Sequence, residues 1–165
     1  MEKVRTVLSI AVQNVAHLLQ VQPQAIRANV FVEQAPGKLS IPKEFHSNMG
    51  QTAEAEIEID VGTGVSGNVF ATGKPLIALM HHNWGMYALS ESQLQHVHPD
   101  LKWVVSTPIR DPCSRWGFSG VVNVDSIGQH KTENELRPVL DVMALHAAAL
   151  GSSLVGISRI ADSRE

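Results

Sequence analysis

Histidine and aromatic residues are concentrated in one stretch of the chain, residues 81–100 (HHNWGMYALSESQLQHVHPD). Half of the eight histidines lie in this stretch: His81, His82, His96 and His98. Imidazole is the commonest metal ligand in proteins, so a metal ion or a haem iron is one possible occupant. Trp84 and Tyr87 lie in the same stretch, and aromatic walls with a few polar groups are typical of small-molecule pockets. We therefore predict a pocket walled by Trp84, Tyr87 and Trp103, and we assign no metal ligand.

Polar residues interrupt two otherwise apolar stretches, 103–110 and 117–125. Ser106 lies in the first stretch, and Asn123 and Asp125 lie in the second. A buried polar group is unfavourable unless it is paired, so each has a partner or faces a wet cavity. Strand alternation places Asn123 and Asp125 on one face. They are predicted to form the polar floor of the pocket; hydrogen bonds to neighbouring loops are the alternative. The predicted ligand-binding residues are His81, His82, Trp84, Tyr87, His98, Trp103, Ser106, Asn123 and Asp125.

Cys113 is the single cysteine, so an intrachain disulfide and a multi-cysteine zinc site are excluded. A thiol becomes reactive when a neighbouring base or cation lowers its pKa, and Arg115 is the nearest cation in sequence. We predict an inert cysteine and no catalytic residue.

Four carboxylates alternate with apolar residues in the segment Glu54 to Val61. This alternation predicts a strand with one apolar and one acidic face. Side chains two apart on a strand are about 7 Å apart, too far for one small ion to bridge several. A solvated edge that resists pairing with another chain is the predicted role.

Two terminal helices and a set of strands must position these residues. Apolar residues four and three apart predict an N-terminal helix over 1–22, ended by Pro23, with the seam Val4, Leu8, Ala11, Val15 and Leu18. The same spacing predicts a C-terminal helix over 138–161, which begins near Pro138 because proline disrupts a helix already under way. Its seam is Leu140, Met143, Ala147, Leu150, Leu154, Ile157 and Ala161. This row of apolar residues extends further along the helix than the short strands of a small sheet can cover. The uncovered residues need another apolar surface, so we expect the terminal helices to form a homodimer.

Strands are predicted at 25–32, 38–41, 54–61, 75–80, 103–110 and 117–125, with a short helix at 66–71. This order indicates an α+β protein in which the terminal helices cover one face of an antiparallel sheet. The chain length of 165 residues suits a single domain over 1–165.

The overall composition excludes several classes of function. Thirteen basic and sixteen acidic residues give a formal charge of −3, without the basic face expected of a nucleic-acid partner. No apolar run reaches the roughly 18 residues that a membrane span needs. The first twenty residues mix Gln, Asn and His with the apolar residues, unlike a signal peptide. A cytoplasmic protein is the expectation.

Three motifs in register resemble the GAF domain, a small-molecule sensor module of bacterial kinases, transcription regulators, phytochromes and phosphodiesterases. They are GTGVSGNVFATGKPLIA (62–78), WVVSTPIRD (103–111) and WGFSGVVNVDS (116–126). The resemblance covers residues 3 to 157 and implies a six-stranded antiparallel sheet, with terminal helices on one face and a ligand pocket on the other. It names no cofactor for this chain.

Departures from the family pattern narrow the function that the resemblance implies. Residues 81–100 lack the cysteine of bilin-binding members, and Ser66 stands where the GAF-type methionine sulfoxide reductases have a cysteine. The signature of cyclic-nucleotide binders is also missing. We expect a non-enzymatic regulator with an unidentified small-molecule ligand, either standing alone or as part of a longer signalling protein. The alternatives are a redox enzyme that uses Cys113 and a structural dimerisation module.

Overall fold

The computed structural model describes residues 1–50, 53–80 and 88–162, with side chains described up to residue 154. Two 3-10 turns, Pro23–Ala25 and Ala53–Glu56, accompany the helices and strands. The helices are α1 (Glu2–Leu19), α2 (Gly64–Thr72), α3 (Glu91–Leu94) and α4 (Glu133–Asp162). The strands are β1 (Arg27–Ala35), β2 (Lys38–Ser40), β3 (His46–Ser47), β4 (Glu58–Asp60), β5 (Leu76–Leu79), β6 (Leu101–Arg110) and β7 (Phe118–Ile127).

Six strands form one antiparallel sheet in the order β4-β2-β1-β7-β6-β5, and the two-residue β3 pairs with β1 beside this path. The long β6–β7 hairpin lies toward the centre because nearly all of its residues are buried. The predicted α+β class and six-stranded antiparallel sheet are confirmed.

The terminal helices pack together on one face of the sheet. They run antiparallel, since Lys131 Nζ lies 3.4 Å from the Leu19 carbonyl and Asn14 Nδ2 lies 3.1 Å from His146 Nε2. Helix α4 packs on β6 and β7, and α1 packs on β1. Most described seam residues face this core, with Val4, Leu8, Val15, Leu150 and Leu154 all buried. Within the described residues, no helix has both the length and the apolar content needed to cross a bilayer.

Helix α1 ends at Leu19, earlier than the predicted residue 22. Gln20 adopts the left-handed conformation with φ 55°, and the amide of Val21 bonds to the Ala16 carbonyl. This is the hydrogen bond of a Schellman termination, so the conformation at Gln20 ends the helix before Pro23 is reached. One seam residue also differs from the prediction, because Leu18 is exposed and Leu19 is buried instead.

Helix α4 begins at Glu133 and not at Pro138, which corrects the predicted start of the C-terminal helix. Thr132 and Glu135 form a reciprocal capping box: Thr132 N donates to Glu135 Oε2 at 2.8 Å, and Glu135 N lies 3.3 Å from Thr132 Oγ1. Proline at 138 removes the amide that would bond to the Asn134 carbonyl. Because Asn134 is exposed, water can satisfy that carbonyl and the helix continues.

The predicted strand from Glu54 to Val61 is wrong over its first half. Residues Ala53–Glu56 form a 3-10 turn, and only Glu58–Asp60 pair as β4. Glu58 on β4 is exposed as expected, and Lys38 Nζ lies 2.6 Å from Asp60. Glu54 is buried instead of solvated, because its carboxylate is bound inside the protein.

Candidate functional site

A cavity of about 90 Å³ lies on the sheet face opposite the terminal helices. Its volume exceeds what a single water molecule needs. Most of its wall is hydrocarbon, from Phe31, Ile41, Met49, Ile57, Ile59, Val65, Leu89, Val97, Leu101 and Val104. The polar part of the wall is formed by Arg27, Asn29, Glu54, Ser66, His96, Asn123 and Asp125.

Arg27, at the start of β1, holds two carboxylates inside the protein. Its Nε donates to Asp125 Oδ1 at 2.6 Å, and its Nη1 and Nη2 donate to the two oxygens of Glu54 at 2.6 and 3.1 Å. Arg27 is 3% exposed and Asp125 is 4% exposed. The planar guanidinium fits this arrangement because its fork matches a carboxylate with two parallel hydrogen bonds.

The Arg27–Glu54–Asp125 cluster has one positive and two negative groups. Burial raises the pKa of Asp125 to about 6, because the loss of hydration outweighs the attraction of Arg27, and Glu54 adds repulsion. Burial acts to lower the pKa of Arg27, but Asp125 and Glu54 outweigh it and the pKa lies above its ordinary value. Arg27 therefore stays charged while Asp125 titrates within reach of physiological pH.

The register between β1 and β7 builds this wall in layers. Arg27 lies opposite Asp125, and Asn29 lies opposite Asn123 in the next layer of the same face. Asn123 Nδ2 donates to Asn29 Oδ1 at 3.0 Å and to Ser66 Oγ at 2.7 Å. Asn123 Oδ1 is buried and has no hydrogen-bond partner among the described residues. Ser106 lies directly opposite Asn123 on β6, and its Oγ is likewise buried without a partner among the described residues.

Close packing of α2 on β4 brings Ser66 over this wall. A side chain on Gly67 would collide with the Asp60 carbonyl, so only glycine permits the approach. The Gly62 amide also bonds to the Gly67 carbonyl at 2.9 Å. The glycine-bracketed motif of the sequence thus serves to place Ser66 within reach of Asn123.

The described residues of the 81–100 stretch form hydrogen bonds with the turn that carries Glu54 and with the strand β4 that follows it. Gln93 Nε2 donates to the Glu58 carbonyl at 2.9 Å, and the His98 amide donates to Glu54 Oε1 at 3.0 Å. His96 Nδ1 lies 2.9 Å from the Ala53 carbonyl, which only accepts, so this nitrogen carries a proton. His96 lines the cavity and His98 does not; His98 instead positions Glu54 through its backbone.

The predicted pocket residues separate into three groups. Asn123 and Asp125 line the cavity, as the polar-floor prediction requires. Ser106 is fully buried opposite Asn123 on β6 but does not line the cavity, and its Oγ has no partner among the described residues. His81, His82, Trp84 and Tyr87 lie outside the described residues.

The prediction that Trp103 walls the pocket is wrong. Val104 lines the cavity, and neighbouring side chains on a strand point to opposite faces, so Trp103 faces the helical layer. It is fully buried there, and its Nε1 donates to the Gln129 carbonyl at 2.9 Å. Trp103 is therefore a core residue.

Cys113 lies in the exposed turn between β6 and β7, away from the cavity. Its amide donates to Asp111 Oδ1 at 2.9 Å. The strand from Phe118 to Asn123 alone spans roughly 17 Å, so the thiol is remote from the polar wall. Within the parts of the chain that the structure describes, no three His, Cys, Asp or Glu side chains converge as a metal site.

The raised pKa of Asp125 predicts a pH-dependent stability. Unfolded Asp125 titrates near its ordinary value of 3.8 and folded Asp125 near about 6, so the folded chain binds more protons between these values. The contribution of Asp125 to the free energy of unfolding is thus fully present below about pH 4 and lost as pH rises through about 6. Urea unfolding across this interval should show wild type losing stability relative to Asp125→Asn.

The Asp125→Asn chain keeps the other groups that act on this position: Arg27, Glu54 and His98. The difference between the two stability profiles therefore reports on Asp125. Parallel profiles for the two chains would contradict the raised pKa.

Sequence analysis missed Arg27 and Glu54. Arg27 had a signal, because it is the one charged residue in the apolar strand segment AIRANVFV. No feature of the sequence distinguished Glu54, because Glu56 and Glu58 are also glutamates that alternate with apolar residues in the same segment. Its role comes from the 3-10 turn that directs it to Arg27.

Comparison with solved structures places this architecture among known proteins. The GAF domain of the Acinetobacter phosphoenolpyruvate-protein phosphotransferase matches with a TM-score of 0.65 at 11% identity, over 95% of this chain and 85% of that chain. The cyanobacteriochrome receptor PixJ matches with 0.56 at 12%, over 91% and 96%. The free methionine-R-sulfoxide reductase from Neisseria meningitidis, solved with its substrate, matches with 0.58 at 13%, over 95% and 87%.

No protein-family model and no curated protein sequence matches the chain. At 10–16% identity the structural matches establish the fold and leave the choice between sensor and enzyme open. The chain has the fold of a GAF domain.

Proposed function

We propose that this chain is a ligand-sensing GAF domain, without catalytic activity of its own, that works in the cytoplasm and signals through α1 and α4. The observation that carries the proposal is the cavity itself, whose wall joins a hydrocarbon surface to the buried polar side chains of Arg27, Asn123 and Asp125. A small molecule with an apolar body and one polar end would suit both parts of this wall.

Strand β7 supplies a route from the cavity to the terminal helices. Asn123 and Asp125 face the cavity, while the alternate residues Val122 and Val124 are buried on the helical side, where α4 packs. A ligand that shifts β7 would therefore act on α4 directly. We take this strand as the coupling element between binding and signalling.

Native mass spectrometry of protein purified without denaturation tests the proposal. We expect wild type to carry a small molecule that Val104→Phe lacks, because the larger side chain occupies the cavity that Val104 lines. An equal added mass on both chains would place the molecule elsewhere and contradict the proposal. So would an unloaded wild type whose melting temperature no compound of a metabolite library raises, an outcome that favours a structural module filled by its own side chains.

The fold similarity to the methionine sulfoxide reductase keeps an enzyme as the second candidate. The single cysteine argues against it, because Cys113 has no second thiol to resolve an oxidised intermediate and lies in the β6–β7 turn. An assay of methionine sulfoxide reduction by wild type and by Cys113→Ser distinguishes the sensor from a Cys113-dependent enzyme. Absence of activity in both chains is the result we expect; activity that wild type shows and Cys113→Ser lacks would establish the enzyme.

A homodimer through the outer surface of α1 and α4 is the proposed signalling form. The seam around Leu150 and Leu154 is buried within the protomer, so the sequence-based assignment of that seam to the dimer is corrected. Within the described part of the helix pair, three large apolar side chains remain exposed: Ile10 at 48%, Leu18 at 40% and Leu145 at 74%. The small residues Ala148 and Ala149 beside Leu145 are also exposed and would allow a partner helix to approach closely.

Leu145→Glu is therefore expected to yield a folded monomer from a dimeric wild type, because a charge on a surface that is buried between protomers is unfavourable. Light scattering gives the mass, and circular dichroism confirms folding. Glu133→Gln, at the exposed start of α4, is the matched control and should remain dimeric. A wild type that is monomeric at high concentration would contradict the proposed dimer.

A further inference from the structure

The charge of the cavity wall bears on the class of ligand that it can take. One guanidinium and two carboxylates, all nearly buried, leave a net formal charge of −1 on the wall. Each nitrogen of Arg27 already donates to a carboxylate. An anionic ligand would meet the surplus carboxylate and a guanidinium that is already paired, which is an unfavourable combination in a poorly hydrated site.

The polar groups of the neighbouring layer are paired within the protein. Asn123 directs its amide nitrogen to Asn29 and Ser66. His96 Nδ1 lies 2.9 Å from the Ala53 carbonyl and donates to it. The carboxylates of Glu54 and Asp125 are therefore the acceptors of the wall that carry uncompensated charge.

The remainder of the cavity wall is apolar. Ile57, Ile59 and Val104 belong to the hydrocarbon surface that continues from the polar layer. A ligand that suits both parts has a short hydrocarbon body and one polar end. That end must donate hydrogen bonds.

We infer that the cavity binds a small primary amine in its ammonium form, with the ammonium beside the carboxylates of Glu54 and Asp125 and the hydrocarbon body against the apolar wall. This inference rests on the proposed sensor function and names the ligand class of that same site. The ammonium would bring the net charge of the wall to zero through charge-assisted hydrogen bonds.

Three five-carbon probes that share an isobutyl group separate charge from shape: isoamylamine, isoamyl alcohol and isovalerate. Each is titrated into wild type while the methyl resonances of Ile57, Ile59 and Val104 are followed by NMR. The amine should shift these resonances and bind about tenfold or more tightly than the alcohol, because it adds charge-assisted hydrogen bonds. Isovalerate should bind most weakly.

Two isosteric variants then test the charge directly. Glu54→Gln and Asp125→Asn each remove one negative charge and keep an acceptor for Arg27, so amine affinity should fall about tenfold in each. Alcohol affinity should stay unchanged. Glu58→Gln is the matched control, since Glu58 is an exposed carboxylate on β4 outside the cavity wall, and amine affinity should stay at the wild-type value. Amide spectra establish folding, and either folded variant suffices to decide.

The outcomes separate this inference from the function on which it rests. Tighter binding of isovalerate or the alcohol than of the amine, or unchanged amine affinity in Glu54→Gln and Asp125→Asn, would overturn the ligand class and leave the sensor proposal intact. Failure of all three probes to shift the cavity methyl resonances would also overturn the ligand class. The sensor proposal falls only if native mass spectrometry finds wild type unloaded and no library compound raises its melting temperature.

Discussion

Replacing Arg27 with methionine is expected to lower the free energy of unfolding by about 3–5 kcal/mol at neutral pH, because it leaves buried carboxylates without their cation. Methionine keeps much of the length and hydrocarbon of the arginine side chain, so lost packing is a minor part of the effect. The deficit should shrink as pH falls. Without Arg27 the pKa of Asp125 rises further, because Arg27 is the main group that lowers it, and protonation then removes the unfavourable charge.

Two controls assign the Arg27 effect to buried charge. Arg5→Met removes a guanidinium that lies 3.8 Å from Glu44 with both side chains well exposed, so it should cost less than about 1 kcal/mol. Adding Glu54→Gln and Asp125→Asn to Arg27→Met removes the unpaired charges and should restore at least half of the lost stability. Denaturant unfolding measures all of these chains. A deficit that neither acid nor the added substitutions relieve would show that Arg27 acts through packing alone.

Trp103→Ala should lower the free energy of unfolding by about 3–5 kcal/mol, the range for removal of a large buried aromatic side chain. Trp103 is fully buried between the sheet and the helices, and truncation opens a cavity there. Trp116 is 36% exposed, so Trp116→Ala is the matched control and should cost clearly less. Denaturant unfolding compares the two.

The Trp103 site also separates a core role from a binding role. Trp103→Phe keeps an aromatic ring and should leave the affinity of isoamylamine at the wild-type value, because the side chain faces away from the cavity. The same substitution should still destabilise the fold, since it removes ring volume and the donor to the Gln129 carbonyl. A loss of amine affinity without a loss of stability would show that Trp103 lines the pocket after all.

Much of the fold could be predicted because its elements follow simple periodicities. The seams of α1 and α4 repeat every three and four residues, and β6 and β7 are long and continuously apolar. Helix ends were less predictable, because they depend on single residues: Gln20 in the left-handed conformation ends α1, and the Thr132–Glu135 capping box starts α4.

The cavity was only partly predictable. Asn123 and Asp125 could be identified because a polar residue in an apolar strand needs a partner or a wet surface. Glu54 could not, since its alternation with Ala55 and Ile57 fits a strand, and only the bond to Arg27, 27 residues earlier in the chain, explains the turn. Trp103 was assigned to the pocket wall because aromatic residues are common in such walls. Its neighbour Val104 lines the cavity, so strand alternation places Trp103 on the opposite face of the sheet.

The cavity beside Arg27, Asn123 and Asp125 is proposed to hold a small molecule through its polar wall. A crystal structure of protein purified without denaturation would show this molecule. We expect electron density for a non-protein molecule in the cavity, with a donor atom about 3 Å from a carboxylate oxygen of Glu54 or Asp125 and its hydrocarbon part against Ile59 and Val104. A cavity filled by the protein's own side chains, with no density for another molecule, would contradict the proposal.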